Sequence, residues 1–520
     1  MEAIAWPALR AFLSMLVPMV ALLTAGRLDL VAGAVFGALT SVYCRSEPYR
    51  QQARTLAAVA VTMVVSVAIG DLIAVHGPSG PWQEALSLLA TALVGAITTA
   101  AATAVKLGPP GGLIFAFATG ACSHLPLSHA DLPLHLLVTA LSAALAWGVS
   151  IAGAVVIGLG PQRRAVAAAL EATAAHVEAR LDPTARHRAA VAVETAWNSV
   201  ANVGRLHRDS PDHLALVQAT QLCENLLFSG EADPAALRRA ATAARSGTAF
   251  GELLGDVAAE AATPPPPASR WRLIRGVLVA ALRPGQHASS WLVPYAFRVV
   301  VAALLGSLLT HLLGIGHAYW AAVSAVSVMQ ATSTSTSVPR MLQRVTGTIG
   351  GVLVGLGLLT ADPPAWAIIL LLAALQWGAE LTVLMNYAFG LFFATPVALL
   401  VSAFNSSAPP AEIASDRLWA TLLGAAVAVA VNWVSPTRAW VARVRTAMDR
   451  VHQLTATEPV PRAELRKALI ELHEAYDVAS GEVRSSKLPT EQLLELSHRA
   501  HAVLEEAGQR SSADAAPRQG

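Results

Sequence analysis

Charge is laid down in blocks along this 520-residue chain. Residues 1–160 hold twelve Asp, Glu, Lys or Arg residues, and residues 290–435 hold eight. Those 306 residues share twenty charges, whereas the other 214 hold fifty. Water solvates a folded chain through its charged and polar surface, so two such charge-poor blocks do not belong to one water-soluble globule. They read as membrane blocks alternating with polar ones.

A membrane-spanning helix needs about 20 mostly apolar residues. The first block offers spans near 8–26, 29–44, 54–75, 84–105, 111–127 and 134–160. The second offers spans near 292–313, 318–334, 343–361, 364–382, 386–404 and 416–435. The stretches 111–127 and 318–334 are rich in Gly or in Ser and Thr, so they are the ones expected to be broken or tilted. Continuous apolar runs argue for helices, because the strands of a membrane barrel alternate. The expected fold is therefore an all-α polytopic membrane protein with two six-helix transmembrane halves.

Lys and Arg follow the even-numbered spans. Arg45, Arg50 and Arg54 follow the second, Lys106 the fourth, Arg163 and Arg164 the sixth, Arg340 and Arg344 the eighth, and Arg438, Arg443 and Arg445 the twelfth. The opposite loops carry mostly Asp, Glu, His and Pro, with Arg27 and Arg417 as exceptions. The positive-inside rule then places both termini and both polar blocks in the cytoplasm of a cell whose plasma (inner) membrane the chain crosses. Leu9–Gly26 has the outline of a secretory signal, but its removal would upset this charge topology, so it is read as the first span.

The block 161–289 is expected to be a cytoplasmic helical domain, with helices near 165–181, 189–206, 213–228 and 234–257. Pro183, Pro211 and Pro234 stand where Pro is tolerated, near helix starts. A Pro-rich linker, 263–267, and a basic segment with Arg270, Arg272, Arg275 and Arg283 lead back to the bilayer. The C-terminal residues 437–508 read as three more cytoplasmic helices, expected to pack with the central block, and 509–520 as a disordered tail.

Composition also narrows function. A net charge of +2 lacks the basic excess of a nucleic-acid-binding domain. Three Cys build no disulfide framework. His124, His129 and His135 are irregularly spaced, with no carboxylate cluster or Cys pair to complete a metal site. The chain carries no Gly-rich phosphate loop ending in Lys and Ser or Thr, and no nucleophile–base pair. Neither an enzyme nor a cofactor is expected. The partners expected are the lipid bilayer and a small organic anion, and a homo-oligomer is compatible with the sequence.

The two apolar blocks repeat in parallel. Gly26 precedes Arg54 by 28 residues, as Gly316 precedes Arg344, and Arg50 stands 290 before Arg340. Phe-Ala-Thr recurs at 117–119 and 393–395. The sixth spans end at Gly160-Pro161 and Ser435-Pro436. Repeated six-helix halves joined by a cytoplasmic segment are a transporter architecture, with substrate bound between the halves; an old duplication with only a structural role is the alternative.

Three stretches are more specific. Residues 317–359 read HAYWAAVSAVSVMQATSTSTSVPRMLQRVTGTIGGVLVGLGLL, 386–399 read NYAFGLFFATPVAL, and 416–436 read DRLWATLLGAAVAVAVNWVSP. In this order and spacing they resemble the fusaric acid resistance (FUSC) and aromatic acid exporter family. The first block departs from the pattern, with Pro109-Pro110 in place of Asn386-Tyr387 and Asp29 in place of Tyr319. The resemblance implies an inner-membrane exporter of small amphipathic compounds, aromatic carboxylic acids among them, driven by the proton gradient. Plant malate channels are distant members of the same grouping, which leaves a passive organic-anion channel as an alternative. A non-transporting envelope scaffold is a third.

Ionisable groups at membrane depth are costly and each is a functional candidate. Glu380, beside Trp377, is the sharpest, as a desolvated carboxylate that exchanges protons with a gradient; the plain alternative is a loop-end carboxylate. Arg340 and Arg344 are four apart on one helix face. With Arg50 and Arg54 in second rank they make a cationic ring that collects a carboxylate, or they anchor the cytoplasmic side. Arg298 is expected to snorkel to the headgroups. Tyr319, Trp320 and Tyr387 stack on an aromatic ring or sit as interface-belt aromatics. Asn386 reads as a polar helix-packing residue. Asp416 reads as an N-cap for the last span. The polar run 333–337 lines an aqueous pathway or solvates a loop. Gly347, Gly350, Gly351, Gly355 and Gly357 form a small-residue face for close helix packing.

Overall fold

The computed structural model describes residues 2–247, 292–480 and 491–506, apart from 46, 79, 180–182, 205–206, 230–231, 331–333, 405–407, 436–437, 459, 494, 498, 501 and 505. The Pro-rich linker, the basic segment after it and the tail 509–520 lie outside the described residues, as does Ser333.

Continuous apolar runs form helices, even through Pro7, Pro18, Pro339 and Pro396, and the described residues are helical with no strand. In the first apolar block these are α1 (Glu2–Thr24), α2 (Val31–Ala38, between 3-10 turns at Leu28–Leu30 and Leu39–Val42), α3 (Tyr49–His76), α4 (Pro81–Ala104), α5 (Leu113–Cys122) and α6 (Leu132–Val156). The central block follows as α7 (Gly160–Ala179), α8 (Pro183–Ala201), α9 (Pro211–Ser229) and α10 (Pro234–Ser246). The second apolar block comprises α11 (Leu292–Leu312), α12 (Tyr319–Met329), α13 (Thr334–Thr360), α14 (Ala365–Thr382), α15 (Tyr387–Phe404) and α16 (Pro410–Val434). The C-terminal block adds α17 (Arg438–Thr455) and α18 (Arg462–Ser480).

Of the twelve expected spans, nine among the described residues are long and apolar enough to cross a membrane: α1, α3, α4, α6, α11, α13, α14, α15 and α16. Three are shorter: Leu28–Val42, Leu113–Cys122 and Tyr319–Met329. The second and third of these fall where Gly and Ser/Thr content pointed to broken spans. The first does not, and its expectation as a full span at 29–44 is corrected. At 1.5 Å per residue an 11-residue helix covers about 16 Å, roughly half a hydrocarbon core. Its ends then lie at membrane depth and need protein around them. Every residue of α2 and of α12 is buried.

The two apolar blocks interlock. Helix α1 packs on α14, and α4 packs on α11. Within the blocks, α2 lies on α6 and α12 on α16; α3 contacts α5 and α6, while α13 contacts α15 and α16. One core joins Met15, Phe36 and Met63 to Leu372 and Leu400, so apolar packing is shared between the blocks. The expected small-residue face is the α13–α15 contact at Gly347, Gly350, Gly351 and Gly355, but not at Gly357, which faces open space. A methyl group at Gly347 would collide with the Ala388 carbonyl, and one at Gly351 with Thr395 and the Phe392 carbonyl.

In the central block, Pro183, Pro211 and Pro234 open helices as read from sequence. Asp233 caps α10 by accepting from the Ala235 amide at 2.9 Å, and Gly247, at φ 73°, ends it. The helix closes eleven residues before the expected 257. Helix α18 packs on α8. Arg466, 7% exposed at its side chain, joins the two polar blocks through Glu194 of α8 and Glu224 of α9. Lys106, between α4 and α5, pairs with Glu474 of α18 at 2.6 Å.

Candidate functional site

Three guanidinium groups are arrayed along the short helix α12. It is made of small residues behind an aromatic start, Tyr-Trp-Ala-Ala-Val-Ser-Ala-Val-Ser-Val-Met. Small side chains let α4, α5, α11 and α16 close around it. Its approach turns at Gly316 and at His317, which has φ 52°. A side chain at 316 would press on the carboxylate of Asp416 and push it from His317.

Arg417 of α16 lies over the Trp320 ring, with Cζ 3.6 Å from its centroid. Arg344 of α13 donates from Nη2 to the Ser324 hydroxyl at 3.1 Å and from Nη1 to the Tyr387 hydroxyl at 3.0 Å. Arg340 donates from Nε to the Ser327 carbonyl at 2.9 Å and from Nη2 to Gln330 Oε1 at 3.3 Å. Its Cζ stands 4.2 Å from the centre of the Tyr387 ring. The Tyr387 hydroxyl lies 2.5 Å from that of Ser327. Residues 320, 324, 327 and 330 recur at three- and four-residue steps, so they follow one face of α12 and its C-terminal cap over about 15 Å.

Arg344 and Arg417 are 1% and 5% exposed. Among the described residues, no carboxylate pairs with Arg340, Arg344 or Arg417. At the Arg340 end a cavity of about 230 Å³ opens, lined by Thr99, Thr103, Lys106, Gly111, Gln330 and Arg340. Gln330 donates across to the Pro110 carbonyl at 2.6 Å. The first apolar block therefore supplies one wall and the second the other.

Asn386 takes an N-cap position. Its Oδ1 accepts from the Ala388 amide at 2.9 Å, capping α15 and fixing where Tyr387 starts. Tyr319 and Trp320 are 2% and 1% exposed, so they are not interface-belt aromatics. They pack with Phe117 of α5. Arg298 does not snorkel. It is buried and donates to Asn432 Oδ1 at 2.6 Å, tying α11 to α16. Arg50 and Arg54 lie on the first turns of α3. Asp416 is not an N-cap, because α16 begins six residues earlier. Thr334–Ser337 form the first turn of α13.

Glu380 is buried but not alone. Arg45, which follows α2, donates to both its oxygens at 2.7 and 2.8 Å. The pair joins the first apolar block to the second. Three further acid–histidine pairs lie near the opposite helix ends: Asp71–His135 at 2.8 Å, Glu84–His124 at 2.8 Å and Asp416–His317 at 3.0 Å. The first is fully buried. Each of the three histidines sits in its own pair, so His124 and His135 do not converge.

Sequence reasoning missed Arg417, Arg45, Gln330 and the Asp71–His135 pair. Asp71 carried a usable signal, as a carboxylate at the end of the apolar run 54–75. Arg417 was hidden by the boundary: with the span starting at 416 it reads as interfacial, with α16 starting at 410 it lies two turns inside.

The resemblance read in the second apolar block is borne out. Residues 301–431 match a family model described as fusaric acid resistance protein-like. The chain is similar to the uncharacterized membrane protein YvaC of Bacillus subtilis (strain 168), at 22% identity over 500 residues, covering 88% of this chain and 78% of that protein. An uncharacterized protein of Synechocystis sp. is 28% identical over 144 residues, which cover 28% of this chain and 19% of that protein. No solved structure matches. The chain is thus a membrane protein with many apolar helices and a FUSC-like second block.

Proposed function

We propose that this protein is a transporter that exports small organic carboxylates, aromatic ones included, across the cell membrane. The observation that carries the reading is the file of guanidinium groups along α12, half-buried at Arg340 and buried at Arg344 and Arg417, without carboxylate partners among the described residues. A permanently charged group in a low-dielectric site is stable only with compensation, and a transported anion supplies it. Guanidinium binds carboxylate through two parallel donors. Tyr387, whose helix is capped by Asn386, sets an aromatic face against the Arg340 guanidinium.

The architecture we infer is two six-helix halves in parallel repeat, the short helices counted with the long. The packing of α1 on α14 answers that of α4 on α11, and α2 on α6 answers α12 on α16. Positive residues after the even-numbered spans favour cytoplasmic termini and cytoplasmic helical domains. The mouth beside Arg340 and Lys106 then faces the cytoplasm, and the pairing of Lys106 with Glu474 brings the C-terminal helices to it.

Proton coupling is assigned to Glu380. Its bidentate pair with Arg45 spans the two blocks, and protonation of the carboxylate removes the partner of Arg45. Movement of one block against the other is thereby linked to the proton.

The test is uptake of labelled benzoate into inside-out membrane vesicles, with and without an imposed pH gradient. Accumulation above equilibrium is expected, falling at least tenfold in Arg340→Gln and becoming simple equilibration in Glu380→Gln. Equilibration by the wild type would replace the exporter with the passive anion channel, which an uninterrupted cationic file also suits. Absence of flux for benzoate, salicylate and malate would overturn the transport reading.

A further inference from the structure

Elsewhere among the described residues, the guanidinium groups of three buried or half-buried arginines find a carboxylate or a side-chain amide oxygen, and that of the buried Arg10 donates to the Tyr43 carbonyl at 2.8 Å. Arg466 reaches Glu194 and Glu224, Arg45 reaches Glu380, and Arg298 reaches Asn432. Arg344 and Arg417 do not. Nε of Arg344 is buried with no hydrogen-bond partner, as it is in Arg10, Arg298 and Arg466, whereas in Arg417 both Nε and Nη1 are. Asp416, next to Arg417 in the chain, is turned to Nδ1 of His317. The neutral partners present are the Trp320 ring, the Ser324 hydroxyl and the Tyr387 hydroxyl.

Two like charges are thus held near one another in a dry region. Removing an ion from water is unfavourable even after relaxation, and mutual repulsion adds to that. Arginine does not escape by losing its proton. The groups they contact on α12, Trp320 and Ser324, are one turn apart, which is about 6 Å along the helix axis. A carboxylate set between the two guanidiniums would accept from both, one oxygen toward each, at the N···O spacing of about 2.8 Å usual for such pairs.

We propose that Arg344 and Arg417 form a buried two-guanidinium site that holds one carboxylate, deeper along α12 than the Arg340 mouth, with Trp320 as the platform that keeps Arg417 in place. This deepens the transport reading and rests on it for the identity of the anion. The site gives the exported anion a second station, one step beyond the mouth. Ser324 and Tyr387 are positioning residues here, orienting the Arg344 fork.

The experiment is thermal unfolding of the full chain in detergent at pH 8, with benzoate as probe and benzamide as its uncharged control. A ligand that binds only the folded state at ten times its Kd raises the apparent folding constant about elevenfold. The wild type is expected to show such a benzoate-dependent rise in Tm and none with benzamide. Arg417→Gln is expected to melt higher than wild type without benzoate, because an uncompensated buried cation is gone, and to lose the benzoate shift. Arg417→Lys, which keeps the charge and loses the fork, is expected to retain a smaller shift. Arg340→Gln is expected to retain the shift while losing flux. If Arg417→Gln melts lower or fails to yield a monodisperse protein while the wild type shows no shift, Arg417 is a structural brace and the site is overturned. A full benzoate shift in Arg417→Gln overturns it equally. Wild-type benzoate flux without any shift overturns the site and leaves the transport reading intact. A shift without flux overturns the transport reading and leaves the site.

Discussion

At the scale of single residues, the arginines differ in what they are paired with, and that decides what each substitution does. Arg45 and Glu380 illustrate an asymmetry. Glu380→Leu strands a guanidinium that cannot neutralise itself, and is expected to cost about 3 kcal/mol. Arg45→Met strands a carboxylate that takes up a proton, so its cost is smaller. The double variant Arg45→Met/Glu380→Leu recovers most of the loss, since an apolar pair of similar volume replaces both ions. Chemical or thermal unfolding of the four proteins as a double-mutant cycle checks this, and equal losses in the two single variants would refute it. Sequence alone found Glu380 and not Arg45, because an acid inside an apolar run stands out while a base beside it passes for cytoplasmic anchoring.

At the scale of elements, the contact between α13 and α15 rests on glycines that admit backbone to backbone. Leu at position 351 would drive into Thr395 and the Phe392 carbonyl. It is expected to destabilise by about 3 kcal/mol, the upper end for overpacking. Position 357 on the same helix faces open space. Gly357→Ala is expected to stabilise by about 0.5–1 kcal/mol through helix propensity alone. Opposite changes in Tm for two substitutions six residues apart would confirm which face of α13 is packed. The periodicity of these glycines was legible in the sequence. Their partner helix was not, since any apolar helix of the right length could have filled the role. The shortness of α2 was not legible either: its residues are as apolar as those of a full span, and only burial on every side marks it as an internal piece.

At the scale of the whole molecule, the polar blocks meet through α8 and α18. The rings of His187 and His473 lie 4.7 Å apart. Burial, and then the neighbouring His473, hold the His187 imidazole below its ordinary range, partly offset by Asp477 and Glu474. Its value in the folded chain is therefore lower than in the unfolded chain, where it is about 6.5. The unfolded state binds more protons between those values, so stability rises with pH across that window. The docking of α18 is expected to be fully present above pH 6.5 and to weaken as pH falls through the lowered value. Hydrogen exchange of the α18 amides at pH 7.5 and 5.5 checks it, with His187→Gln expected to flatten the difference.

The charge pattern by itself determined the class of molecule: two apolar blocks, helical because continuous apolar runs leave the backbone no partner but itself, separated by amphipathic helices that open at Pro183, Pro211 and Pro234. The motifs around 317–359 by themselves determined the resemblance, because side-chain identity is what a motif records. Tertiary structure alone decided which charges are compensated. Arg344, Arg417, Arg45 and Arg466 are the same side chain in the sequence, and pairing depends on partners 20 to more than 300 residues away. Only the folded chain, by closing α16 and α13 around α12, separates the guanidiniums that have found a carboxylate from those that have none among the described residues.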